Sequence, residues 1–109
     1  MATDNLEQRM AANEDMFREV NEGIARGQWP GDSAPVAFRC ECARLGCTDL
    51  LKIPLTEYER VRQHPRRFIV RLGHEVPAVE AVVERGEDYL VVEKRGEAGE
   101  VAETLDPRS

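Results

Sequence analysis

The chain has 109 residues, a third of them charged and 6% aromatic, and a formal net charge of −6. That length supports one domain with one modest core and excludes two. No apolar stretch approaches the roughly 18–20 residues that span a bilayer, and the acidic balance opposes non-specific nucleic-acid binding, which sets several cations against phosphates.

Residues 4–26 are expected to form an amphipathic helix. Leu6, Met10, Asn13, Phe17, Val20 and Ile24 recur at alternating spacings of four and three, the stripe of a helix packed on a sheet. Asp4 with Glu7 predicts a capping-box start, and Gly27 after Arg26 a stop. The same spacing is a heptad seam, so self-association or docking to a partner is a second use of this helix. Residues 27–35, GQWPGDSAP, read as a linker whose lone Trp29 either folds back onto the core or anchors a partner.

Val36 to Cys42 then alternates, placing Val36, Phe38, Cys40 and Cys42 on one strand face and Ala37, Arg39 and Glu41 on the other. A turn at ARLG brings in Cys47, and LLKIPL returns as a strand with Leu51, Ile53 and Leu55 together, Pro54 marking an edge or an end. Thr56 and Glu59 predict a second capping box, opening a helix to about Gln63 that Pro65 closes. FIVRLG is a strand with Phe68, Val70 and Leu72 on its inner face. Residues 78–85 fit helix or strand; Pro77 and the spacing of Val79, Val82 and Val83 favour a short helix. DYLVVEKRG is a strand, and EAGEVAETLDPRS a frayed helical turn and tail. The expected architecture is a single α+β domain over residues 1–109. Its N-terminal helix packs on a small, mostly antiparallel sheet of about four strands, with a metal-stapled core over 36–105 and a tail at 106–109.

All three cysteines lie between Phe38 and Cys47, in FRCECARLGC. Their odd number precludes complete pairing within one chain, and no apolar leader is visible in residues 1–30, so a cytoplasmic location is expected. In a reducing compartment clustered thiols bind metal or do redox chemistry more often than they form disulfides. Gly46, directly before Cys47, allows the tight bend that wraps a backbone around an ion. A structural zinc site takes four thiolate or imidazole donors, so a fourth group is needed. His64 sits among arginines that repel a cation. His74 continues the inner parity of Phe68, Val70 and Leu72 and is the preferred fourth ligand, with His64, Asp49 or water as the alternatives. The cofactor expected on Cys40, Cys42, Cys47 and His74 is Zn2+, with a [2Fe–2S] cluster as the rival on the same residues. Arg39 or Arg44 would offset the net negative charge of three thiolates around a zinc ion. Inert packing of small buried thiols is the bland alternative.

The succession NEDMFREVNEGI, FRCECARLGC, LTEYERVRQHPRRFIVRLGHE and DYLVVEKRGEAGEVAETLDPR resembles a family of short, uncharacterised actinobacterial proteins. These carry a CEC…C segment, a GHE tripeptide and a DPR ending. The likeness runs from about Asn13 to Arg108 and is most specific at Cys40-Glu41-Cys42, Gly73-His74-Glu75 and Asp106-Pro107-Arg108. It implies that Cys40, Cys42, Cys47 and His74 form one metal-binding set, and that the basic segment and the tail belong to one module. It implies no substrate.

Three classes of function follow. The first is a binding or regulatory adaptor that docks a protein partner through the N-terminal helix or the Arg60–Arg71 face. Residues 56–73 hold five arginines against two acids, so a phosphate-facing strip is the nucleic-acid version of this reading. The second is a thiol or iron–sulfur redox sensor, since thiolates near arginines ionise and oxidise readily. The third is a small metalloenzyme using pairs such as His74 with Glu75 or Glu57 with Glu59. The signature of zinc deaminases is absent, and so are nucleophilic-serine and phosphate-cradling motifs. Oligomeric state is not encoded in these patterns.

Overall fold

A computed structural model describes residues 2–29 and 34–108, the side chains of residues 2–8 excepted. The elements run α1 (Ala2–Arg26), β1 (Pro35–Arg39), β2 (Leu50–Pro54), α2 (Leu55–Arg62), β3 (Arg67–Arg71), β4 (Glu80–Arg85), β5 (Tyr89–Lys94) and α3 (Gly96–Thr104). The fold is α+β, and among the described residues five strands form two small antiparallel sheets: a β1–β2 hairpin and a β3–β5–β4 sheet with β5 central. Among the described residues no helix is long and apolar enough to cross a membrane.

The hairpin pairs Phe38 with Leu51 and Val36 with Ile53. Phe38, Leu51 and Ile53 are therefore buried while Lys52 is exposed, as strand alternation requires. The Phe38 ring stacks on Tyr58 of α2 with centroids 4.2 Å apart. β5 contributes Leu90, Val91 and Val92 in succession, all fully buried. A central strand covered on both faces reads as a continuous apolar run. β3 does likewise with Phe68, Ile69 and Val70. The backbone joins the two sheets where Glu41 N–H donates to Ile69 C=O at 2.8 Å, closing the free edge of β3.

Several local expectations need correction. Residues 80–85 form strand β4, not a helix. Pro77 does open one turn, with Val79 and Glu80 N–H groups both donating to Val76 C=O at 3.1 Å. The Glu80 carboxylate accepts the Val76 N–H at 2.6 Å, closing that turn on itself. The β-branched Val82 and Val83 continue along the open edge of β5, with a register shift between Val82 and Glu84. Thr56 caps nothing: α2 starts at Leu55 behind Pro54, without a side-chain cap. α1 starts at Ala2, ahead of Asp4; the side chains of Asp4, Leu6 and Glu7, and linker residues 30–33, lie outside the described residues. Leu72 is exposed because β3 ends at Arg71. The C-terminal residues are no frayed turn, since α3 spans nine residues and Asp106 is buried beyond it.

The face that α1 buries overlaps the expected stripe at Met10, Asn13, Phe17 and Ile24 but is wider and more polar, and it leaves Val20 out. Phe17 is buried, but Val20 is 44% exposed and Met16 49% exposed, whereas Glu14, Arg18, Asn21, Glu22 and Ala25 face inward. Charge pairing selected that face. Arg18 donates to the carbonyls of Pro65 and Ala102 at 2.8 and 2.7 Å, with its guanidinium over the Phe68 ring. Glu22 accepts from Arg62 at 2.7 Å. Trp29 does not fold back; it is 83% exposed.

Candidate metal centre

The segment between β1 and β2 carries all three cysteines, and its ends are held as a continuation of the hairpin: Cys40 N–H donates to Asp49 C=O at 3.0 Å. Within it, Cys47 N–H donates to Arg44 C=O at 3.2 Å and Gly46 has φ +84°. Those two features describe a type II turn, whose third residue takes a positive φ that glycine adopts without strain. The chain after β3 repeats the device: His74 N–H donates to Arg71 C=O at 2.9 Å, and Gly73 has φ +86°. Arg44-Leu45-Gly46-Cys47 and Arg71-Leu72-Gly73-His74 are thus two copies of one turn, each delivering its last residue to the same point. Arg44 Nη2 ties them together by donating to Gly73 C=O at 2.8 Å.

Cys40, Cys42, Cys47 and His74 converge, with one donor atom from each lying within 4.8 Å of all the others. His74 Nδ1 stands 3.6 Å from Cys40 Sγ and 3.7 Å from Cys47 Sγ. Four donors bound to one tetrahedral zinc ion at about 2.0–2.3 Å would lie about 3.5–3.8 Å apart, a spacing that the two His74–sulfur distances match. Cys40 and Cys42 are buried, while Cys47 and the ring of His74 are partly exposed. His64 is exposed and outside the cluster. Asp49 is no donor to it; its carboxylate stands behind the ring, 3.6 Å from Nε2.

Each sulfur accepts a backbone N–H: Cys40 from Arg71 at 3.2 Å, Cys42 from Arg44 and Cys47 from Asp49. Hydrogen bonds to the charged form favour it, so the loop is prepared to hold thiolates. Without a cation the three thiols compete for charge. The hydrogen bond from Cys40 draws Cys42 down to about 5, against burial, with the Arg44 amide, His74 and Cys47 assisting. That same bond, then burial, pushes Cys40 up, and burial pushes Cys47 up. A shared cation removes the conflict. Of the two arginines expected to offset the charge, Arg44 is the one bonded within the site, and Arg39 lies over the Phe17 ring at 5.0 Å.

Glu41, between the two cysteines and on the other strand face by parity, is fully buried. Its carboxylate accepts from Asn21 Nδ2 at 2.8 Å, Tyr58 OH at 3.0 Å and the Ile69 N–H at 3.0 Å. Burial pushes its carboxyl up; these bonds and the charge of Arg62 pull the other way. One residue thereby fastens the cysteine loop to α1, α2 and β3. Asn13 adds a second tie, donating to the carbonyls of Cys42 and Arg44 at 3.3 Å each. The available signals were an acid placed between two buried cysteines and the repeated Arg-Leu-Gly. No protein-family model, curated protein or solved structure matches the chain.

Proposed function

We propose that this is a small metal-binding protein in which one zinc ion, held by Cys40, Cys42, Cys47 and His74, staples the fold of a binding or regulatory adaptor. The observation that carries the reading is the convergence of three sulfurs and one imidazole nitrogen at spacings that suit a single tetrahedral ion. A [2Fe–2S] cluster divides its ligands between two irons and favours a wider set. Four protein donors close a tetrahedral shell and leave no position for an activated water, which supports a structural role over catalysis.

The surface supports a protein partner over nucleic acid. Arg60 pairs with Glu57 and Glu84, Arg66 with Glu103, and Arg67 with Glu93. Arg62 is buried between Glu22 and Asp106. Little of the Arg60–Arg71 charge is left for phosphates. The outward side of α1 offers Met16 and Val20, and Trp29 follows the helix in the open. A redox-sensing role has one observation in its favour, the partial exposure of Cys47 beside two buried cysteines.

Metal content and the visible spectrum, recorded together on protein purified without added metal, test the reading. A colourless protein with one zinc per chain is expected. A brown protein containing iron would replace zinc by a cluster, and three freely titratable thiols with no metal would refute the site.

A further inference from the structure

Asp49 touches three of the four donor residues. Its carbonyl accepts the Cys40 N–H at 3.0 Å, its own N–H donates to Cys47 Sγ, and its Oδ2 lies 3.6 Å from His74 Nε2. The imidazole therefore lies between two sets of groups, with Nδ1 toward Cys40 and Cys47 and Nε2 toward a carboxylate that stands a few tenths of an ångström beyond a direct hydrogen bond. The same Oδ2 lies 3.9 Å from Arg71 Nε. Arg71 in turn donates its N–H to Cys40 Sγ and accepts the His74 N–H on its carbonyl. One carboxylate thus bridges the loop that carries the cysteines and the turn that carries the histidine.

A neutral imidazole has one N–H and one bare nitrogen, and only the bare nitrogen can ligate. A carboxylate beside Nε2 accepts a hydrogen bond from a proton there, which leaves Nδ1 bare. We infer that Asp49 is the positioning residue of the site: its carboxylate holds the Nε2–H tautomer of His74 and aims Nδ1 at a zinc-class cation shared with the three thiolates. The inference rests on the metal-binding reading above and adds to it the ligating atom and the residue that selects it. An ion pair that merely decorated the surface would leave the ring's tautomer unchanged.

The test uses the full chain, with Asp49→Asn and Asp49→Ala, both of which retain the backbone contacts to Cys40 and Cys47. Zinc affinity is measured by competition with a chromophoric chelator. The His74 ring is read by long-range 1H–15N correlation in the zinc-loaded protein, with His64→Gln removing the other histidine from the spectrum. The expected result is a wild-type ring ligated at Nδ1 and protonated at Nε2. Asp49→Ala is expected to bind zinc about 10–100-fold more weakly, with Asp49→Asn between them because its amide oxygen still accepts a hydrogen bond. Unchanged affinity in Asp49→Ala, or wild-type ligation through Nε2, would overturn the role of Asp49 and leave the zinc site standing. A wild-type chain that takes up no zinc would overturn both. Because the tautomer is read on the Asp49-containing chain, poor folding of a variant does not remove the test.

Discussion

Two buried polar regions of this molecule solve the same problem in opposite ways. In the cysteine loop, three sulfurs and an imidazole nitrogen are packed within 4.8 Å, all of them donors of electron pairs with no positive group among them. Beneath α1, buried cations arrive already matched. Arg62 lies between Glu22 and Asp106, Lys94 between Glu14 and Glu80, and Arg18 on two carbonyls with Asp15 nearby. On the proposed reading the first region is completed by a cation from outside the chain, whereas the second draws its cations from the chain itself. They meet at Glu41 and Asn21, where the loop is bonded to the helix. Removing a cation from either region should therefore expose which one the fold depends on.

The largest effect is expected at the loop. Zinc present at about 1,000 times its dissociation constant stabilises the folded chain by about 4 kcal/mol. In a domain of this size that is about 15–30 °C in Tm. Chelation, or Cys42→Ser, should lower Tm by that order in thermal melts. A melt indifferent to both would mean that the loop is held by Glu41 and the asparagines alone.

Arg62→Met probes the other region. It leaves Glu22 and Asp106 buried without their shared guanidinium, and breaking such a pair costs about 3–5 kcal/mol. Arg108 limits the damage, since it also reaches Glu22 at 2.8 Å and donates its N–H to Asp106 at 3.0 Å. Urea unfolding should show the loss, and adding Glu22→Gln and Asp106→Asn should recover part of it. Zinc affinity should not change. A parallel fall in affinity would show that the regions are coupled through Glu41.

Legibility follows the same division. The convergence of Cys40, Cys42, Cys47 and His74 was readable because three of them lie in one short segment and the fourth follows a strand of clear parity. Strand parity is not what aims His74, since Leu72 is exposed and the turn at Gly73 redirects the chain. The α+β class and strands β1, β2, β3 and β5 were readable from alternation and apolar runs. What periodicity could not show was the ion network. Glu22, Arg62 and Asp106 are distant in sequence, and each reads as an ordinary surface charge until the tertiary fold brings them together. The apolar stripe of α1 was an incomplete guide for that reason: Phe17 and Ile24 do face the core, but paired charges widen the buried face and leave Val20 outside. Residues 78–85 failed differently: the start signal at Pro77 was real, but a vacant strand edge took the chain after one turn.

The smallest effect expected here concerns pH, and it separates the regions by sign. Glu14 is mostly buried beside Lys94 and Glu80, and burial, more than the Lys94 charge can offset, raises its carboxyl from 4.5 to about 7. A carboxyl raised in the folded state binds its proton more tightly there than in the unfolded chain. Its contribution is therefore fully present below pH 4.5 and is lost as pH rises through about 7. Thiolate ligands behave in the other direction, since protonation at low pH releases the metal. Glu14→Gln isolates the first trend, because the metal-linked slope is common to both proteins and cancels in the difference. Urea unfolding at pH 5 and pH 7.5 should show wild type losing about 1–3 kcal/mol relative to Glu14→Gln over that interval. A flat difference would mean that Lys94 holds Glu14 ionised throughout. The network beneath α1 would then be a fixed ion cluster, with no response to pH in the range where the cysteine loop responds.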